Sequence, residues 1–306
     1  MARDKEAVDG KVVFITGTSS GFGFLTAKQL ARDGHVVYAT MRDIQSRNKD
    51  AKDELEAFGG DVEGNIHVLE VDVLKDDQVR AAVQAMIAAE GRIDVLVNNA
   101  GYGLIGPVES ASDEAILHQF DTNVFGYIRT IRAVLPHMRD QRSGHIINVS
   151  SVAGRLGIPM EGLYCATKFA VEGLSESLVG ECYLFDIKVT VIEPHTFKTD
   201  FLKGSLKPVS DPGRTGEYEG VFKYFLDNME NFASDKSDPQ QVADKISSVI
   251  GKRKPPFRAP VGPHARRDSF FAKLLSPLRL QKIASKMYGM KELFEKIPKS
   301  ESGNDI

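Results

Sequence analysis

The chain has 306 residues, 42% hydrophobic and 26% charged, the composition of a soluble globular protein, which excludes disordered, collagenous and coiled-coil chains. With 39 basic against 42 acidic side chains the formal charge is −3, so no global positive field draws in a phosphate backbone and nucleic acid is not expected as a partner. Two cysteines, Cys165 and Cys182, make no disulfide framework and lack zinc-ligand spacing; a reducing compartment is expected and a metal is not. No apolar run approaches the roughly 18 residues that cross a bilayer. Met1 to Gly10 is charged and has no apolar signal core, so the expected address is cytoplasmic.

Short apolar runs rich in β-branched residues alternate with amphipathic, helix-length segments from Lys11 to about Phe201. The runs predict strands at Val12–Thr16, His35–Thr40, Ile66–Val71, Ile93–Val97, His145–Ser150 and Lys188–Glu193, buried on both faces. The segments between them predict crossover helices at about Phe22–Arg32, Asp76–Glu90, Asp113–Arg139 and Gly162–Phe185. This alternation makes an α/β fold, a Rossmann-type doubly wound parallel sheet. Beyond Phe201 a Gly, Pro and Lys stretch, Lys203–Gly216, precedes helix-like pieces at Tyr218–Phe232 and Pro239–Ile250, and Pro255–Gly262 has room for one last short strand. The chain is expected to be a single domain, with a core at about 11–201, a substrate lid at about 202–237, and a C-terminal strand and helical extension at about 238–296. The basic segment Arg266–Lys296 sets Phe270, Phe271, Leu274, Leu275, Leu278, Ile283 and Met287 among lysines and arginines. That pattern reads as a packed helix pair; the other reading is peripheral contact with a partner or an anionic membrane surface.

Directly after the first run comes TGTSSGFG, Thr16–Gly23, which opens the first helix with GxxxGxG spacing. Gly17 allows the tight turn, Gly21 lets backbone approach a pyrophosphate, and Gly23 lets helix and strand close on one another. The first helical amides then face the anion, so Gly17, Ser19, Ser20, Gly21, Phe22 and Gly23 are candidate dinucleotide contacts. The second strand runs into YATMRD. Folds of this kind present the residue there to the adenosine ribose, an acid for NAD or a base for the 2′-phosphate of NADP. Met41 and then Arg42 stand at that place, and a guanidinium grips a phosphate with paired hydrogen bonds. NADP is therefore expected, with NADPH preferred, and Asp43 beside Arg42 leaves some use of NAD open.

Three motifs, TGTSSGFG, NNAG at Asn98–Gly101 and YCATK at Tyr164–Lys168, resemble the short-chain dehydrogenase/reductase superfamily in its single-domain group, in order and spacing, over about Lys11–Phe201. YATMRD, SVAG at Ser151–Gly154 and YCATKFAVEGLSESL at Tyr164–Leu178 resemble most the branch of 17β-hydroxysteroid and retinol dehydrogenases. The resemblance implies a catalytic tetrad of Asn123, Ser151, Tyr164 and Lys168, with Ser151 and Tyr164 meeting the substrate. It also implies adenine contacts from Asp72 and Val73, a cofactor contact from Asn99, and a hydrogen bond from Thr199 to the nicotinamide amide. Substrates would be lipophilic alcohols or carbonyl compounds, and assembly a homodimer or homotetramer pairing the helices Asp113–Arg139 and Gly162–Phe185. One departure stands in EPHTFKTDF, Glu193–Phe201, where His195 occupies the place at which relatives carry glycine after Pro194. It bears on the backbone path at the nicotinamide edge of the pocket.

Tyr164 and Lys168 are four apart on a predicted helix and so share one face. A phenol with pKa near 10 is a poor base at neutral pH; lowering it by about 3 units takes roughly 4 kcal/mol, expected from the Lys168 ammonium and an oxidised nicotinamide. Tyr164 then gives or takes the hydroxyl proton, Ser151 hydrogen-bonds the carbonyl oxygen, and the cofactor carries the hydride. Lys168 is also placed to bind the nicotinamide ribose, and Asn123 to hold a water that links Lys168 to solvent. The expected activity is NADP(H)-dependent interconversion of a secondary alcohol and a ketone or aldehyde. The competing readings are a non-catalytic NADP-binding redox sensor and an isomerase or dehydratase on the same fold.

Overall fold

The computed structural model describes residues 10–195, 197, 206–209, 216–232 and 238–287. Thr199, parts of the expected lid and the end of the basic segment lie outside them. Along β1 (Val12–Thr16), Val13 and Ile15 enter one apolar cluster and Val12 and Phe14 the other, which is why this strand has no polar face. The chain continues through α1 (Gly21–Arg32), β2 (Val36–Met41), α2 (Lys49–Gly60), β3 (Asn65–Glu70), α3 (Asp76–Glu90), β4 (Val95–Asn98), β5 (Gly103–Ile105) and α4 (Asp113–Phe120). Then come α5 (Gly126–Gln141), β6 (Gly144–Val149), α6 (Gly162–Tyr183), β7 (Ile187–Pro194), β8 (Leu206–Pro208) and α7 (Glu219–Phe232). The last described elements are α8 (Gln240–Ile250), β9 (Arg258–Val261), α9 (Ala265–Leu274) and α10 (Pro277–Met287).

A parallel seven-stranded sheet has the order β3-β2-β1-β4-β6-β7-β9. Ala27 and Leu30 of α1, Leu55 of α2 and Val242 and Ile246 of α8 cover one face. Val79 and Met86 of α3, Val134 and Met138 of α5 and Leu178 of α6 cover the other. This is the expected doubly wound α/β fold. The chain leaves β1 toward β2 and β3, then returns to lay β4 on the other side of β1, so the carboxyl ends of β1 and β4 bound a crevice where such folds take ligands. Both cysteines are free and buried.

Three features differ from the sequence-based expectation. Helix α2, absent from the expected elements, buries only Leu55 and Gly59 fully, with Ala51 and Phe58 packed beside Leu55 as a narrow apolar stripe among charged residues. The single helix expected at Asp113–Arg139 is divided by one π-helical turn, Asp121–Phe125. Its cause lies outside the helix: Asn123, inside the turn, accepts from Tyr102 N at 3.0 Å and donates to Tyr102 O at 2.8 Å, which draws one residue inward. Finally, β5 and β8 form a separate two-stranded parallel sheet, and Val209 N donates to Ile105 O at 2.8 Å, tying the segment after β7 to the β4–α4 connection. At the C-terminal end α9 and α10 are the expected helix pair, and Gln281 Nε2 of α10 donates to Gly157 O at 2.8 Å.

Candidate active site

The crevice is built on Thr16, the last residue of β1, whose Oγ1 accepts from Asn99 N and Ala100 N, both at 3.0 Å. Asn99 Nδ2 returns hydrogen bonds to Thr16 O and Gly17 O, both at 2.9 Å, so the glycine turn and the NNAG segment hold one another. Gly17 has φ +71, and a Cβ there would lie 2.7 Å from Ala100 Cα. A Cβ on Gly23 would lie 2.3 Å from Gly17 O and 2.5 Å from Asn99 Nδ2, so neither position admits a side chain. Gly21, at φ +58, opens α1 with nothing near its Cβ position. Ser20 at the N-cap makes no side-chain capping bond, which leaves the first amides of α1 to an outside acceptor.

A cavity of about 410 Å³ runs from this turn to α6. Gly17, Ser19, Ser20, Gly21 and Phe22 line one stretch of it, Arg42, Asp72 and Val73 the next, and Asn99, Tyr164 and Lys168 the far end. Gly23 lies behind the turn and packs it. Arg47 and Asn48, which sequence reasoning passed over, line the same end as Arg42; Asn48 Nδ2 donates to Arg42 O at 2.6 Å and holds that loop closed. Two guanidinium groups therefore stand where one was read. Ser150 also lines the cavity, with its Oγ buried against Gly154 of the following turn.

On α6, Tyr164 is 8% exposed and Lys168 4%. Ser151 lies close enough to the Tyr164 hydroxyl to favour its ionised form. Ser151 Oγ accepts from Ala153 N at 3.1 Å and starts the 3-10 turn Val152–Gly154, which fixes the serine at the mouth of β6. Lys168 Nζ donates to Val149 O at 2.9 Å, an oxygen that Tyr127 OH also reaches at 3.0 Å. That ammonium lies 5.7 Å from the centre of the Tyr164 ring. Asn123 Nδ2 donates to Tyr102 O at 2.8 Å and Thr167 Oγ1 at 3.1 Å, so both of its N–H groups are taken by protein partners. Tyr102, His118 and Lys207 form the lid side of the cavity: Tyr102 OH meets His118 Nδ1 at 2.9 Å, and Lys207 Nζ of β8 stands 4.8 Å over the Tyr102 ring.

The chain's own groups, taken without a nicotinamide, do not lower the Tyr164 pKa. Burial pushes the phenol well above its ordinary value and Glu161 adds to the rise, while nearby Ser151 pulls it back. Burial likewise lowers Lys168 to about 8, opposed by Glu172. In a low-dielectric pocket both charged forms lose hydration, and this outweighs their mutual attraction across the ring. His195 does not break the sheet: its N donates to Val261 O at 2.9 Å, continuing the β7–β9 ladder, and its side chain is not among the described residues lining the cavity. Phe22 packs edge-on against Phe197 with ring centres 5.5 Å apart.

A glycine turn at a strand's carboxyl end, basic side chains along one flank of the crevice and a buried tyrosine–lysine pair at the other define an oxidoreductase of the dinucleotide-binding α/β class. The sequence profile of the short chain dehydrogenase family matches residues 11–209. The chain belongs to that family. It is 40% identical over 254 residues to a 3-ketodihydrosphingosine reductase of Bacteroides thetaiotaomicron, covering 83% of this chain and 88% of that protein. It is 39% identical over 257 residues to retinol dehydrogenase 8 of Homo sapiens, covering 81% and 80%, and 38% identical over 259 residues to 17-beta-hydroxysteroid dehydrogenase type 1 of Mus musculus, covering 82% and 73%. Among solved structures, a short-chain dehydrogenase from Streptomyces avermitilis superposes with TM-score 0.74 at 29% identity, covering 94% of this chain and 98% of that one. A metagenomic short-chain oxidoreductase in complex with NADP gives TM-score 0.63 at 25% identity, covering 84% and 97%.

Proposed function

We propose that this protein is an NADP(H)-dependent oxidoreductase, preferring NADPH, that interconverts a secondary alcohol and a ketone or aldehyde on a lipophilic substrate. The observation that carries the proposal is buried Tyr164 with the Lys168 ammonium 5.7 Å from its ring centre, both lining a cavity that starts at the glycine turn. The α1 amides with Ser19, Ser20 and Gly21 would hold the pyrophosphate, Asp72 and Val73 the adenine, and Arg42 and Arg47 the 2′-phosphate. Asn99, Tyr164 and Lys168 would border the nicotinamide ribose, with Thr199 assigned to the amide by the family pattern alone. When bound, the nicotinamide supplies or accepts the hydride and, oxidised, adds a positive charge beside the phenol. Tyr164 holds the proton that passes to or from the substrate oxygen. Ser151 gives that oxygen a second hydrogen bond and stabilises the developing alkoxide, and Lys168 supports the phenolate. Asn123 pins the Tyr102 backbone at the cavity wall. The relatives named above act on a ketosphingoid base, a retinoid and a hydroxysteroid, so a large apolar carbonyl compound is the substrate class favoured for this chain.

The proposal extends to assembly and address. Leu117 of α4, Phe125 of the π turn, and Phe169 and Val179 of α6 are 67%, 48%, 48% and 38% exposed, an apolar face fit for pairing with a second copy. No helix among the described residues is long and apolar enough to cross a membrane, and we place the protein in the cytoplasm. Phe271, Leu274, Leu278 and Ile283 stand exposed beside Arg266, Arg267, Arg279, Lys282 and Lys286, so α9 and α10 would give a peripheral hold on anionic lipid. The test is consumption of NADPH and NADH against a panel of long-chain ketones, retinals, ketosteroids and small keto esters. Turnover with NADPH on the apolar compounds supports the reading; turnover confined to the small keto esters, or to NADH, rejects it.

A further inference from the structure

Behind the Tyr164–Lys168 pair lies a group of buried charges that the reaction described above does not use. Glu172 follows Lys168 by one turn of α6 and is 4% exposed; Glu193 of β7 is 1% exposed. Two guanidinium groups face both carboxylates. Arg258 of β9 sets Nε 2.9 Å from Glu172 Oε2 and 3.5 Å from Glu193 Oε1, and its Nη2 2.8 Å from Glu176 Oε2 on the exposed side of α6. Arg155 sets Nη1 3.9 Å from Glu172 Oε2 and Nε 3.8 Å from Glu193 Oε1. Burying such a group costs hydration that its attractions only roughly repay, and well-packed apolar side chains of the same volume are often as stable or more so. Stability alone does not account for its presence here.

The position of the cluster does. Arg155 ends the 3-10 turn that Ser151 begins. Gly154, just before it, sits so close to α6 that a Cβ would lie 2.6 Å from Ser150 Oγ, 3.0 Å from Lys168 O and 3.1 Å from Glu172 Cγ. The turn bearing Ser151 is thus pressed against the helical turn between Lys168 and Glu172, and the two arginines tie both to β7 and β9. The groups facing the Lys168 ammonium are Tyr164 and Glu172 on α6, Tyr127 on α5 with its ring centre 5.8 Å away, and the Val149 carbonyl of β6. Glu161 faces Tyr164, and Arg155, Arg258 and Glu193 face Glu172.

We propose that Glu172, gripped by Arg155 and Arg258, is a positioning residue for the reaction: it keeps a negative charge one helical turn behind Lys168 and clamps the Ser151 turn to α6 so that Ser151 and Tyr164 stay in register. The inference rests on Tyr164 being the acid/base. Removing the charge of Glu172 leaves the Lys168 ammonium less favoured, which withdraws support from the Tyr164 phenolate.

Glu172→Gln removes the charge and keeps the shape; Glu172→Asp keeps the charge, and Tyr164→Phe serves as the control. The readings are alcohol oxidation against pH, NADPH affinity and thermal unfolding. In Glu172→Gln the midpoint of the oxidation profile is expected to move about one unit to the alkaline side, a loss of roughly tenfold at a fixed pH below it, with NADPH affinity within about twofold. Glu172→Asp is expected to bring the midpoint back toward wild type. A slower Glu172→Gln enzyme whose midpoint has not moved overturns the proposal and reduces the cluster to packing. Full activity in Tyr164→Phe instead overturns the acid/base reading on which it rests. If Glu172→Gln does not fold, Arg155→Gln is read in its place: kcat for carbonyl reduction is expected to fall about tenfold with NADPH affinity and KM within about twofold, and a wild-type kcat removes the clamp.

Discussion

Gly23→Ala is the sharpest test of the glycine turn, because the collision it creates is with groups that cannot move aside. The added Cβ would lie 2.3 Å from Gly17 O and 2.5 Å from Asn99 Nδ2, about 1 Å inside ordinary contact. Gly17 cannot retreat, since its own φ of +71 is fixed and its Cβ position already abuts Ala100 Cα at 2.7 Å. Asn99 can move only by giving up hydrogen bonds to Thr16 O and Gly17 O, both 2.9 Å long. Two lost bonds at about 1 kcal/mol each and about 1 kcal/mol of overpacking strain sum to roughly 3 kcal/mol. At roughly 2 to 4 °C per kcal/mol, Tm falls on the order of 10 °C. The same displacement spoils the amides that would receive the pyrophosphate, so NADPH affinity is expected to drop at least about tenfold. Gly21→Ala is the contrast: its Cβ meets nothing within 4 Å, and the left-handed φ of +58 costs only about 1 kcal/mol. Differential scanning fluorimetry and NADPH titration of both variants decide the matter. Equal Tm and affinity for Gly23→Ala and wild type would refute the reasoning.

Replacing Arg42 and Arg47 together by alanine is expected to weaken NADPH binding about 10- to 100-fold and leave NADH binding unchanged, measured by fluorescence titration; equal losses for both cofactors contradict the assignment of the 2′-phosphate. Lys168 is held at about 8 against 10.5 in the unfolded chain, so between those pH values the unfolded state binds more protons and stability rises with pH. Below that window the buried ammonium costs on the order of 3 kcal/mol. Lys168→Met should therefore raise Tm at pH 7 while abolishing turnover, and a lowered Tm counts against the burial argument. His145, buried with Nε2 2.9 Å from Thr190 Oγ1, is lowered to about 3 from 6.5 by burial and by Lys188 and Lys11. Between those values the unfolded chain again binds more protons, so stability is lost as pH falls, at about 1.4 kcal/mol per pH unit. Urea unfolding of His145→Gln at pH 7 and pH 5 should show that part of the slope removed; an unchanged slope assigns the acid sensitivity elsewhere.

The sheet was legible because its inner strands are apolar on both faces: six runs from Val12 to Glu193 correspond to β1, β2, β3, β4, β6 and β7 within a residue or two, Pro255–Gly262 holds β9, and only edge strand β3 departs from the expected two-sided burial, with Asn65 and Glu70 exposed. In the candidate site the Tyr164–Lys168 pair was legible through spacing, since the two share a face of α6, and Ser151 through the family pattern that places it after β6. What escaped has physical reasons. Helix α2 shows only a narrow stripe, Ala51, Leu55 and Phe58, among charged residues, and β5 and β8, three residues each, are stabilised by pairing across the chain rather than by pattern. The π turn at Asn123 depends on the Tyr102 backbone, which no local signal in Asp113–Arg139 announces. Arg47 reaches the ribose end of the cavity only through the loop that Asn48 closes onto Arg42. Spacing shows that a lysine is near Tyr164, while the burial that raises the phenol in the chain by itself belongs to the folded state and was not legible.

Tyr164→Phe measured with NADPH and a responding lipophilic ketone tests the central claim most directly. The substitution removes one hydroxyl from an 8%-exposed side chain and leaves the cavity shape intact. NADPH affinity within about twofold of wild type, with turnover reduced roughly a hundred- to ten-thousandfold, is the expected result. A Tyr164→Phe enzyme that turns over at the wild-type rate contradicts the account, since the proton would then come from another group.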